Sequence, residues 1–427
     1  MQAKQKQAYP PGAAEFPVGF WNYKPVLDEE PSAAGDWADA GATVTMGPEV
    51  GPEPAGRKRM LAILDAAAER GVRVIVCDRR GYWRSLLGSD EKAFRREFAG
   101  AVKDFGKHPA VCGFHVGDEP GTAEFAAACR AIRIQKELAP GLEPHHNLLP
   151  WHPGCEGRVG FESWAAYLDA YVRESGTGIL AYDCYSQMNP NPAAEGGGLD
   201  MYFRNLREYA EAGRRHGLPV WVTQLSVGHF RYRCPKEDDL RWQLYTALAH
   251  GAQGIFWFFL YMRKPHDNYR VAPIDEHGER TETFEWLSRV NRTFLKGPAA
   301  VVRELALEKV SHVGTAWGGA PLFDGAGLVS RAKSRHGTPL IVSEFRHADG
   351  GDYVAVVNNS QTESSQAELW VRGAKPELHR VGWMAEEAKV SAGDGWQAAS
   401  GDDFVKVTPW LHPGQMELYR VVNGRKG

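Results

Sequence analysis

Short apolar runs recur along the first 260 or so residues with helix-like segments between them, the alternation expected of parallel strands joined by crossovers. The runs are FPVGFW (16–21), ATVTM (42–46), VRVIVCD (72–78), VCGFHV (111–116), LEPHHNLL (142–149), GILAYDCY (178–185), LPVWVTQL (218–225) and GIFWFFLY (254–261), eight in all. Between them, segments such as KRMLAILDAAAERG, KAFRREFAGAVKDFG, AEFAAACRAIRIQKELAPG and YFRNLREYAEAGRRHG carry apolar residues at helical spacing, and several close on glycine. Eight such alternations predict an α/β fold, a closed (β/α)8 TIM barrel rather than an open doubly wound sheet. The crossover from Asn22 to Gly41 has the weakest helical pattern.

Beyond about residue 300 the texture changes. LALEKV, LIVSEFRH, DYVAVVNN, QAELWVRG, LHRVGW, DFVKVT and QMELYRV are strand-like runs separated by Gly, Asp and Asn turns. They predict an antiparallel β-sandwich domain at 301–427 behind a barrel at 1–300. No convergent polar cluster stands out in the second part, which favours a structural cover over a second active site.

Composition narrows the partners. With 50 Lys and Arg against 53 Asp and Glu, and a formal net charge of -3, there is no basic field for nucleic acid or an anionic membrane. The sequence has no apolar stretch long enough to span a bilayer and no apolar leader after MQAKQKQAYPP, so the expectation is a cytoplasmic protein, or a secreted or periplasmic one if a leader has been removed. The six cysteines form no CxxC pair and read as buried thiols, with neither a disulfide framework nor a zinc site. GxGxxG, GxxxxGK[ST] and GxSxG are absent where they would matter, so no cofactor is expected. The oligomeric state is not legible.

Chemistry in a barrel gathers where strands end and the following loops begin. In VCGFHVGDEP the fourth strand stops on Asp118 and Glu119, with a proline behind them that restrains the turn. Acids before proline often merely start a helix, but this rim is polar on many strands. Glu49, Asp78, Arg79, His145, His146, Asn147, Asp183, Tyr185, Gln224, Tyr261 and Arg263 all stand at strand ends. Trp21, Trp151, Trp257 and Tyr261 are candidate walls on which a sugar ring would stack.

On GFHVGDEP, AYDCY, the run from PVWVTQLSVGHF to GIFWFFLY, and the closing TPWLHPGQMELYRV, the chain resembles the clan A glycoside hydrolases, in particular their β-galactosidase-like or agarase-like branches. The resemblance implies a glycosidase acting on an oligo- or polysaccharide, with Glu119 as the general acid. Retaining members of that clan place a glutamate nucleophile at the end of strand seven, where this chain has Gln224, an amide that ionises neither way. Three explanations stand open. Asp183 acts as nucleophile or base; Asp118 shares the proton of a carboxyl pair; or the barrel binds a glycan without cleaving it. The expected catalytic residues are Glu119, Asp183 and Asp118. The expected substrate contacts are Trp21, Glu49, Asp78, His146, Asn147, Trp151, Tyr185, Gln224, Trp257, Tyr261 and Arg263. No metal ligand set is evident; a metal-dependent lyase or isomerase of sugar acids is the remaining alternative. Loops 24–41, 152–162 and 187–198 are expected to shape the groove.

Overall fold

The computed structural model describes residues 15–88, 90–191, 198–263, 268–391 and 397–423. Its first part is an eight-stranded parallel sheet: β1 (Val18–Phe20), β2 (Val44–Val50), β3 (Arg73–Asp78), β4 (Val111–Asp118), β5 (Glu143–Leu148), β6 (Leu180–Asp183), β7 (Val220–Leu225) and β8 (Gly254–Phe258). Each strand pairs with the next from β2 to β8, and β8 pairs with β1. Among the described residues, the helices of seven residues or more that follow the eight strands are Ala33–Asp39, Pro54–Glu69, Glu91–Phe105, Phe125–Leu138, Trp164–Ser175, Gly198–His216, Glu237–Ala249 and Glu282–Lys296. The first is only 7 residues long, which is why that crossover shows so little helical pattern. Local chemistry sets the ends: Asp90 and Ser163 accept from the amides of Ala93 and Ala166, while Gly176 ends its helix at φ 64°.

The barrel closes between β1 and β2 through side chains. The Val18 amide donates to Thr43 Oγ1 at 2.9 Å and the Phe20 amide to Thr45 Oγ1 at 3.3 Å, while the Thr43 amide donates back to the Val18 carbonyl at 2.8 Å. A Cβ on Gly19 would stand 1.9 Å from the Val44 carbonyl oxygen, so the close seam requires glycine there.

Strand alternation separates two cores. Val18, Phe20, Val74, Val76, Leu180, Tyr182, Val220, Val222, Ile255 and Trp257 face the helices. Trp21, Ile75, Cys77, Ala181, Trp221, Leu225, Phe256 and Phe258 fill the lumen.

The second part is a sandwich of two antiparallel sheets. One runs Val329–Ser334, Ser365–Arg372, Phe404–Val407, Gln397–Ser400, with Trp410–Leu411 also paired to Ser365–Arg372. The other runs Glu387–Lys389, Glu377–Val381, Met416–Val422, Asp352–Asn358, Leu340–His347, Leu305–Val313. The seven expected runs are all strands. The four additional ones, Val329–Ser334, Glu387–Lys389, Gln397–Ser400 and Trp410–Leu411, are too short or too polar to show a strand pattern of their own. Leu340 and Val342 point into the sandwich, whereas Ile341 and Phe345 join the barrel's outer core. Trp242 Nε1 donates to Asn359 Oδ1 at 2.9 Å across this junction, and Ser343 Oγ to the Ala249 carbonyl at 2.7 Å. No helix among the described residues is long and apolar enough to cross a membrane.

Candidate active site

At the C-terminal ends of the strands, alternation decides which side chains meet. His145 and Asn147 on β5 and Asp183 on β6 share the lumen side with Ala181 and Trp221. On β4 the register shifts between His115 and Gly117, the mark of a bulge, and this extra residue returns Asp118 to the lumen opposite Asn147. Only glycine serves at position 117: its φ is 145°, and a Cβ there would stand 2.1 Å from the Trp83 indole nitrogen.

Asn147 ties two acids together. Its Nδ2 donates to Asp118 Oδ1 at 3.0 Å and to Asp183 Oδ1 at 2.7 Å. Glu119 stands in the left-handed backbone region at φ 44°, its amide bonded to the Asn147 carbonyl at 3.0 Å, and its carboxyl makes a hydrogen bond with Asp183. Three carboxyls thus converge. Burial, with the negative charge of its two neighbours, holds the Glu119 carboxyl well above the usual carboxylate range, against a downward pull from Arg158 at 3.8 Å. Burial also raises Asp183, helped by the charge of Asp118 and opposed by hydrogen bonds from Asn147 and Tyr185. Asp118 rises from burial too, moderated by Asn147, Arg84 and Arg263.

A proton shared between Glu119 and Asp183 is the arrangement this geometry favours near neutral pH, since two close carboxyls cannot both ionise without cost. Asn147 Oδ1 is buried and accepts no hydrogen bond among the described residues. Beneath the cluster, burial lowers His145 to about 4, so its ring is neutral and brings no counter-charge. Among the described residues no three His, Cys, Asp or Glu side chains are grouped to hold a metal ion.

Two solved structures similar to this one over nearly their whole length are glycoside hydrolases. A family 5 glycoside hydrolase from Bacteroides vulgatus aligns over 99% of this chain and 93% of its own, with a TM-score of 0.61 and 12% identity. A second glycoside hydrolase aligns over 99% and 100%, with a TM-score of 0.58 and 12% identity. A β-galactosidase from the psychrophilic Marinomonas ef1 covers 65% of this chain, which spans 59% of that enzyme, at a TM-score of 0.47 and 12% identity. No family model matches the sequence, and neither does any curated protein. The shared feature is therefore the barrel with its appended sandwich.

The remaining sequence candidates divide by side. Trp21 lies in the lumen, its indole donating to Thr223 Oγ1 at 3.3 Å and its ring stacked on Tyr23 at 5.6 Å. Tyr185 is close enough to Asp183 to influence its charge, and the Arg263 guanidinium lies 3.9 Å from the Tyr23 ring, so both join the cluster. Four others point the opposite way, and the expectation of substrate contact is corrected for them. Asp78 is sealed by Arg80 at 2.7 Å, and His146 Nδ1 meets the Tyr171 hydroxyl at 3.0 Å. Trp257 Nε1 donates to Asn291 Oδ1 at 3.1 Å. Gln224, fully buried, bonds Tyr202, Gln187 and the Gln243 carbonyl between barrel and helices. Toward the C-terminal end of β7 the lumen positions are Thr223 and Leu225, one bonded to Trp21 and the other packed in the inner core.

Three more candidates stand at the periphery. Trp151 is covered by Arg204 at 3.4 Å, Tyr261 accepts from Trp37 Nε1 at 2.9 Å, and exposed Glu49 lies 4.0 Å from Arg79. Sequence reading missed Tyr23, Arg84 and Arg158. Tyr23 was findable, two residues beyond Trp21 with the same alternation. Of the loops expected to shape the groove, 152–162 supplies Arg158 and 24–41 holds the first helix; in 187–198, residues 192–197 lie outside the described residues.

Proposed function

We propose that the protein is a glycoside hydrolase in which Glu119 is the general acid and Asp183 the second carboxylate. The observation that carries this reading is the convergence of Asp118, Glu119 and Asp183 on Asn147 at the mouth of the barrel. A half-buried Glu119 beside two other carboxyls keeps its proton near neutral pH and can deliver it to the glycosidic oxygen as the bond to the anomeric carbon breaks. Asp183 then either attacks that carbon, forming a glycosyl ester that water cleaves, or removes a proton from the attacking water. Two acids flanking a scissile bond stand about 5 Å or more apart. The Glu119–Asp183 hydrogen bond must therefore open as sugar enters, and Arg158 is the alternative partner for the displaced Glu119. Asp118 and Asn147 position Asp183 and meet sugar hydroxyls.

The test is reducing-end release from a panel of β-linked glycans by wild type, Glu119→Gln and Asp183→Asn. Each substitution is expected to remove activity by about 100-fold or more with folding intact, as loss of a general acid or base does. Full activity in Glu119→Gln would sink the reading.

A carbohydrate-binding barrel without turnover is the second reading, favoured by one observation: the lumen face of β7 offers Thr223 and Leu225 and no carboxylate. Ligand binding with no product from wild type across the panel would select it.

A further inference from the structure

Beside the carboxyl cluster lies a recess of about 490 Å³ lined by Asn189, Phe230, Arg231, Tyr232 and Asn268. Tyr232 connects the two, its ring 6.0 Å from that of Tyr185, and the charge of Asp183 reaches both hydroxyls. The recess does not have the form of a packing defect. Phe230 keeps 52% of its surface exposed although its backbone sits at φ 45°, a region aromatic residues seldom adopt. Surrounding groups enforce that conformation: Asn268 Nδ2 donates to the Phe230 carbonyl at 3.1 Å, and the His229 ring lies 3.9 Å from the phenyl. Of the six described non-glycine residues at positive φ, Glu119, Phe230, Asn268 and Val271 all belong to loops at this end of the barrel. Strain retained around a cleft, and spent on presenting an aromatic face to solvent, points to a ligand. Arg231 is exposed and has no ion pair among the described residues.

We propose that this recess is a second sugar-binding site for an anionic glycan, in which one ring of the chain stacks on Phe230 and its carboxylate or sulfate group pairs with Arg231. The proposal rests on the glycosidase reading for its substrate class and extends it to a ring beyond the one being cleaved. An aromatic face suits the apolar side of a pyranose, and a guanidinium suits a carboxylate or sulfate. Asn189, on the same wall, offers an amide to ring hydroxyls.

The experiment is calorimetric titration of full-length protein carrying Glu119→Gln, so that turnover does not consume the probe. The probes are tetragalacturonate, tetramannuronate and a sulfated heparin tetrasaccharide, with cellotetraose and mannotetraose as neutral partners. At least one acidic tetramer should bind about tenfold tighter than either neutral one. Adding Arg231→Gln should erase that preference, and adding Phe230→Gly should weaken binding about tenfold while leaving Tm equal or higher, because glycine relieves the positive φ. Whether a uronate or the sulfated probe binds identifies the anionic group. Equal affinity for neutral and acidic tetramers, no binding of any acidic tetramer, or wild-type affinity in both added variants overturns the proposal. Glycan turnover by the wild-type protein tests the glycosidase reading separately, so the two can fail independently.

Discussion

Glu119, Asp118 and Asp183 are held in the fold above their ordinary carboxylate range, chiefly by burial. The folded chain therefore keeps protons that the unfolded chain releases above about pH 4. This contribution to stability is fully present below the unfolded values and is lost as pH rises through the folded ones. Wild-type Tm should fall as pH is raised from about 5 to about 8, and Asp183→Asn should flatten the decline and melt higher than wild type at the upper end. Parallel Tm curves for the two proteins would show that the cluster is not proton-loaded. Activity should likewise fail on the alkaline side when Glu119 loses the proton it must donate. The acid pair was legible from Asp118 and Glu119 ending an apolar run; the bridging of Asp118 to Asp183 by Asn147 was not, because it depends on three different strands.

Along each strand, two-residue alternation made some side chains readable and a single bulge hid another. Counting in twos from Trp221 sends Gln224 among the helices between lumen-facing Thr223 and Leu225, an alternation that the expectation of substrate contact at Gln224 overlooked. The same count separates Asn147 from His146 and Cys77 from Asp78. Applied to β4 from His115, it would send Asp118 outward; the shift at Gly117 defeats it, and no pattern in VCGFHVGDEP announces that shift. It follows that Gln224→Glu will not create a strand-seven nucleophile. The new carboxylate would be buried against the Gln243 carbonyl and is expected to cost about 2 kcal/mol or more with no gain in turnover, read by chemical denaturation and by product release. A gain in activity would show that position 224 reaches the sugar.

Barrel and sandwich share one apolar core, for Ile341, Phe345, Tyr353, Ala355, Val357 and Leu418 pack with the barrel's helix layer. A Cβ on Gly414 would stand 2.3 Å from the Trp242 Cα, so the two parts meet at backbone contact. Calorimetry should show a single unfolding transition, and Gly414→Val should lower it as a whole rather than split off an early sandwich peak. Two separated peaks in the wild type would mean the parts unfold independently. The layout of a parallel barrel and an antiparallel sandwich was legible because periodicity and segment length are properties of the chain itself. The edge strands Glu387–Lys389 and Gln397–Ser400 were not, since their partners rather than their own residues make them strands.

The seam at β1 bears on how the molecule is made. Val18 pairs with Ile255, while its other side is fastened to Thr43, just ahead of β2. During synthesis β1 leaves the ribosome well before β8 and finds its ladder partner only after the six strands between them have followed. Until then β1 is held only by the few threonine contacts at the start of β2, and the nascent chain carries an unfinished sheet edge until β8 emerges.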